Sequence, residues 1–215
     1  MYFAYDDRAT AYLADKDKKL GAAIEQIGHI DRRTDADLFS SVVHHIIGQQ
    51  ISTAAQATVW HRLKETIGTV DAAHLLLFGR ENLQSTGITF KKADYILDFA
   101  QRVQDGVFDI NALNTMPDKL VIQKLSALNG IGVWTAEMIM IFCMQRPDVV
   151  SFGDLAVLRG MRMLYRHKQI DREKFEKYRN RYSPCGTVAS LYLWAIAGGA
   201  IPELTDPATP RRIRK

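Results

Sequence analysis

Cysteine is nearly absent from this chain. Cys143 and Cys185 are the only two in 215 residues, and they stand far apart without metal-ligand spacing. That argues against a disulfide framework and against side-chain metal ligation, and it suits a reducing compartment with both residues as core thiols. Proline is sparse too. All six, at 117, 147, 184, 202, 207 and 210, fall between periodic segments. No apolar run approaches the ~18 residues of a membrane span. The first residues, MYFAYDDRAT, include acidic side chains and lack the apolar core of a secretory leader. A cytoplasmic protein with no membrane partner is expected. Alternating strand pairs are missing as well, and only Val149–Phe152 looks extended.

What is present is an ordinary globular composition, 47% hydrophobic and 24% charged, long enough for one core or two associated lobes. The formal charge is +4 and the pI about 9.0. Four basic residues at the end, Arg211, Arg212, Arg214 and Lys215, account for all of that excess. The body is balanced, so global charge argues little for a polyanionic partner, although the tail could add nonspecific phosphate attraction.

Apolar residues recur with a period near 3.6. The pattern predicts helices near 9–27, 36–50, 53–67, 70–78, 90–105, 118–128, 133–145, 155–165, 172–180 and 186–198. The expected fold is all-α, a two-lobed helical bundle of about ten helices.

One stretch carries unusual information. Leu125–Phe142, LSALNGIGVWTAEMIMIF, reads as a helix, a turn at Asn129-Gly130-Ile131-Gly132, and a second helix from about Val133. Two glycines permit a tight turn and expose amides at a helix N-terminus, a geometry suited to a phosphate, while Ile131 plugs the space between the helices. An ordinary helical hairpin fits the same spacing. Twenty-two residues beyond Gly132, Asp154 follows the apolar run ending at Phe152-Gly153 and precedes a new helix, where a capping role is one reading.

Together these residues resemble the helix-hairpin-helix superfamily of DNA base-excision glycosylases. In that family a leucine, two glycines flanking Ile or Val, then Trp or Lys followed by Thr-Ala, precede an Asp that assists cleavage of the N-glycosidic bond. Leu128, Gly130, Ile131, Gly132, Trp134, Thr135, Ala136 and Asp154 match. Three further segments resemble family motifs: Leu38–Ala55 with its Gln49-Gln50, Gly87–Ala100 with Lys91 and Lys92, and Tyr182–Trp194. The likeness is strongest to the alkylbase, 3-methyladenine type II, enzymes.

By that resemblance, one lobe would comprise 38–146 and end with the hairpin. The second would join 1–37 to 147–215 and carry the catalytic Asp, with the active cleft between lobes. Asp154 would stabilise the developing sugar cation and orient water. Trp134 and Tyr182, with Phe152 as a third, would face a cationic purine, each aromatic face contributing roughly 0.5–2 kcal/mol. Met138 stands where relatives can have a pocket tyrosine. Gln50, or its neighbour Gln49, would enter the gap left by the flipped nucleotide. Gly130, Ile131, Gly132, Thr135, Ser52, Lys91 and Lys92 complete the expected DNA contacts, while His44 and His45 are expected to lack acidic partners.

The implied activity is monofunctional, hydrolytic excision of alkylated purines such as 3-methyladenine and 7-methylguanine from double-stranded DNA by a monomer. The strand-nicking members place a lysine at the position of Trp134. Two cysteines cannot build the iron–sulfur cluster of some relatives. Hairpin carbonyls between Ser126 and Ile131 could hold a monovalent cation, and no other cofactor is expected. A glycosylase for oxidised or deaminated bases, and a noncatalytic DNA-binding protein of the same fold, remain alternatives.

Overall fold

The computed structural model describes residues 1–208. The basic tail, Arg211 to Lys215, lies outside them. Among the described residues there are eleven α-helices and no strand, only an isolated bridge between Tyr2 and Arg33. No helix is long and apolar enough to cross a membrane. The chain divides into two compact units: Asp35–Met144, and Met1–Thr34 together with the chain from Gln145 onward.

The second of these holds α1 (Asp7–Lys16), α2 (Lys18–Ile27), α9 (Leu155–Tyr165), α10 (Arg172–Tyr182) and α11 (Gly186–Ala197). The single helix expected over 9–27 is two. Asp17 adopts an extended conformation, and its side chain caps the amides of Lys19 and Leu20, so one helix ends and the next begins on the same residue. An interior Asp competes for backbone donors, and here it prevails. Leu13, Leu20, Val157, Met161, Tyr192, Leu193 and Ile196 form the centre of the core. α9 and α11 cross closely at Gly160, where a Cβ would sit 2.2 Å from the Leu193 carbonyl oxygen.

The other unit is built from α3 (Leu38–Gly48), α4 (Thr53–Ile67), α5 (Ala72–Ser85), α6 (Phe90–Gln104), α7 (Asp118–Ser126) and α8 (Val133–Phe142). α5 packs on α6, α7 on α8, and α3 on α4, α6 and α8. Phe39 and Phe99 stack at 4.8 Å within it. α5 runs past the expected end at 78 because helical residues resume after a break at Gly79, whose φ is 78°. A short 3-10 turn, Asn111–Thr115, occupies a stretch expected to be irregular. Cys143 and Cys185 are free, half-buried thiols, and burial pushes Cys143 up to about 11, so it stays protonated.

Gly160 is required by packing rather than by its dihedral angles. Gly160→Ala should lower stability by about 1–3 kcal/mol, read as a fall in Tm of several degrees. An unchanged melting curve would show that α9 and α11 can separate at no cost.

Candidate active site

The hairpin forms as its glycines suggest. α7 ends at Ser126 with Ala127 as its C-cap, the Ile131 amide donates to the Leu128 carbonyl at 3.1 Å, and α8 starts directly after Gly132. The two glycines are not equivalent. Gly130 has φ 82°, and a Cβ there would fall 2.5 Å from the Tyr95 ring, so both backbone and packing demand glycine. Gly132 has φ −92°, with open space where a Cβ would lie. What glycine does there is leave α8 without a side-chain cap. Ile131 is buried, the plug expected of it, and Asn129 ties the turn to α6 through Asp98 at 3.0 Å.

Around the start of α8 the side chains divide sharply. Val133 and Trp134 are 57% and 46% exposed, leaving a large indole surface in solvent. Thr135 and Met138 are buried. Position along the helix explains the division: from 135 to 141 every residue but the half-buried Glu137 is buried, and only the first two residues of α8 stand out into solvent. Thr135 as a DNA contact and Met138 as a pocket residue are therefore corrected: both are core.

Asp154 begins α9. Its Oδ1 accepts the amides of Ala156 at 2.8 Å and Val157 at 2.9 Å, and the residue is only 6% exposed. A carboxylate so placed is favoured by the helix N-terminus and fixed in orientation. Leu155 beside it is 81% exposed. Phe152, two residues earlier, is half-buried, edge-on to Phe175 at 5.1 Å, with the Arg172 guanidinium 4.8 Å from its ring centroid.

Tyr182 is not where the resemblance put it. It is fully buried, its hydroxyl 2.7 Å from that of Tyr165, which in turn donates to the buried Asp17 at 2.9 Å. Burial raises both phenols well above the ordinary tyrosine value. The apolar face of α10 that includes Phe175 and Tyr178 carries Tyr182 inward, so it closes a core network and offers no face to a base.

The Gln-Gln segment lies between α3 and α4. Gln49 caps α3 and its side-chain amide donates to the Gly130 carbonyl, whereas Gln50 is exposed with a left-handed φ of 58°. Ser52 is spent as the N-cap of α4, accepting from the Ala55 amide at 3.2 Å. Lys91 is exposed, its ammonium 5.8 Å from the Tyr95 ring centroid. Lys92 is different: its ammonium donates to the Ile47 carbonyl at 2.7 Å and that of Gln49 at 2.6 Å. A phosphate role for Lys92 gives way to a structural one, because those two bonds hold its charge inside the unit.

His44 and His45 do have an acidic neighbour, contrary to expectation. His44 Nδ1 lies 3.6 Å from Asp35 Oδ2, and ligand atoms of Asp35, His44 and His45 fall within 4.8 Å of one another. The group is already bonded internally: Ser41 Oγ donates to Asp35 at 2.7 Å, and His45 Nδ1 lies 2.8 Å from the Ser41 carbonyl.

Comparison with known proteins decides the family. Residues 43–185, two thirds of the chain, match the model of the HhH-GPD superfamily of base excision DNA repair proteins. The chain belongs to that superfamily. It is 32% identical to a DNA-3-methyladenine glycosidase of Bacillus halodurans, whose crystal structure superposes with a TM-score of 0.85 over 94% of this chain and 95% of that one. It is 24% identical over 181 residues to DNA-3-methyladenine glycosylase 1 of Schizosaccharomyces pombe, covering 81% of this chain and 78% of the relative. The fold also matches a 3-methyladenine DNA glycosylase of that yeast solved with abasic DNA, at TM-score 0.77 and 22% identity, covering 89% and 97% of the two chains.

Within the superfamily fold, several residues matter that periodicity could not single out: Tyr95 beneath Gly130, Asp98 holding Asn129, and the exposed Val133 and Leu155. The sequence signal for Leu155 was an apolar residue off the buried face of its helix; Val133, on the same side of α8 as buried Ala136 and Met140, gave none.

The burial of Tyr182 makes a clear prediction. Tyr182→Phe should remove one buried hydroxyl bond, lowering stability by about 1 kcal/mol, while base release keeps its rate and its preference among lesions. A selective loss on cationic bases would restore the residue to the pocket.

Proposed function

We propose that this protein is a monofunctional DNA glycosylase that flips alkylated purines out of duplex DNA and releases them by hydrolysis. The observation that carries the reading is position 134, where a half-exposed tryptophan opens α8 immediately after an uncapped glycine turn. Superfamily membership and the 3-methyladenine names of the relatives support the substrate class.

Each role follows from local chemistry. The turn at Gly130–Gly132 would hold the phosphate backbone through amides, without reading sequence. Gln50 would fill the gap left by the extruded nucleotide, offsetting lost stacking. Trp134 would stack on the base, whose positive charge is attracted by the indole face. A cationic purine already leaves readily, so no strong acid is required. The remaining barrier is charge on the sugar, and the fixed carboxylate of Asp154 lowers it without reorganisation and orients the attacking water. Carbonyls between Ser126 and Ile131 would hold a monovalent cation that reinforces the turn's grip on phosphate. The buried Ser126 hydroxyl in that segment, which has no hydrogen-bond partner among the described residues, suits a polar guest.

Tryptophan has no nucleophile to attack C1′, so the abasic strand should stay intact. Borohydride should trap no protein–DNA adduct, and strands should break only after alkali. Efficient trapping of the wild-type protein would overturn the monofunctional assignment. Asp154→Asn retains an Oδ1 acceptor for both capping amides while removing the charge. It should therefore slow base release by about a hundredfold or more with little change in Tm or in affinity for duplex DNA. Full activity in the folded variant would remove Asp154 from the mechanism.

A further inference from the structure

Gln50 sits in a conformation that an ordinary side chain avoids. Its φ of 58° lies in the left-handed region, it is exposed, and the chain reverses between the end of α3 at Gly48 and the start of α4 at Thr53. A strained residue in a short solvent-facing connection stays in place only when its surroundings fix it. Here the fixing groups are identifiable, and all belong to the same unit.

Lys92 reaches from the first turn of α6 to the end of α3, where helix carbonyls lack intrahelical partners. Its ammonium bonds both Ile47 and Gln49 carbonyl oxygens, at 2.7 and 2.6 Å, one on each side of Gly48. A cation at a helix C-terminus is favoured by the dipole as well as by the hydrogen bonds. The Gln49 side chain then reaches forward to the Gly130 carbonyl in the hairpin turn. From the far side, the Gln56 amide donates to the His44 carbonyl at 2.9 Å, and a Cβ at Gly48 would fall 2.3 Å from that amide nitrogen. Burial pulls the lysine below its ordinary value, as befits a charge withdrawn from water for a structural task.

We propose that Lys92, acting with Gln49, is a positioning residue for base flipping: it locks the strained Gln50 backbone and couples it to the Gly130 turn. The inference rests on the glycosylase reading above and adds to it a residue that touches neither phosphate nor base. By this arrangement, the group that grips the backbone and the group that enters the stack cannot move independently. Flipping is the step that such rigidity serves, because a wedge offsets the cost of unstacking only if it is already in place.

The test compares two DNA substrates carrying the same alkylated base, one in a fully paired duplex and one in a single-nucleotide bulge where the base is already unpaired. Lys92→Met keeps the length of the side chain and removes the charge. Its single-turnover excision rate on the paired duplex should fall about tenfold or more, with the rate on the bulge within about twofold of wild type. In a Gln50→Ala background the same substitution should cause little further loss, because it acts through Gln50. If Lys92→Met does not fold, Gln49→Met, which cuts only the tie to Gly130, should show the same selective loss on paired DNA. Equal losses on both substrates, no loss on either, or a full additional loss in the Gln50→Ala background would overturn the inference. Wild-type protein that releases no base from either DNA would overturn the glycosylase reading and this inference together.

Discussion

Every helix begins with backbone amides that have no partner inside the helix, and the way each N-terminus meets that demand organises this molecule. Eight of the eleven helices among the described residues are capped by their own Asp, Ser or Thr. α11 is served by Asp148, which accepts from the Gly186 amide at 3.1 Å, and α7 starts behind Pro117 with Asp118 in its first turn. α8 starts on a glycine that brings no cap. In the proposed function, that uncapped end is where a phosphate of the DNA would complete the helix.

The same rule gives Asp154 its properties. Two of the capping carboxylates are buried, Asp17 and Asp154. Asp17 is bonded to Tyr165 and paired with Arg181 at 3.2 Å, a closed network that holds α2 and α10 in place. Asp154 has its Oδ1 fixed by two amides at the start of α9. Removal from water makes a carboxylate's charge count for more against a nearby cation, and the helix supplies the stabilisation that burial takes away. Under the proposed function, capping and catalysis would be one arrangement of one side chain.

Much of this was legible in the residues, for physical reasons. Gly130 could be read as a turn because glycine tolerates positive φ, and Trp134 stood out by its place in the family motif directly after that turn. All-α architecture followed from a period that strands do not share. Contacts between distant segments were not legible. Nothing local distinguishes Lys91, exposed, from Lys92, bonded to α3, though they are adjacent; only the rotation of α6 decides. Tyr182 matched a motif yet turned into the core because it shares a face of α10 with Phe175 and Tyr178, and that face meets Tyr165 and Asp17. Asp35 and His44, nine residues apart, met because the chain enters α3 by folding back along it.

The central claim is hydrolytic release of alkylated purines, and the most direct measurement is mass spectrometry of the small molecules freed when the protein acts on methylated duplex DNA. The account predicts 3-methyladenine and 7-methylguanine as intact free bases, released far faster than the slow spontaneous loss seen when the same DNA is incubated without protein. Release of only oxidised or deaminated bases from damaged DNA, or of no base at all, would contradict it.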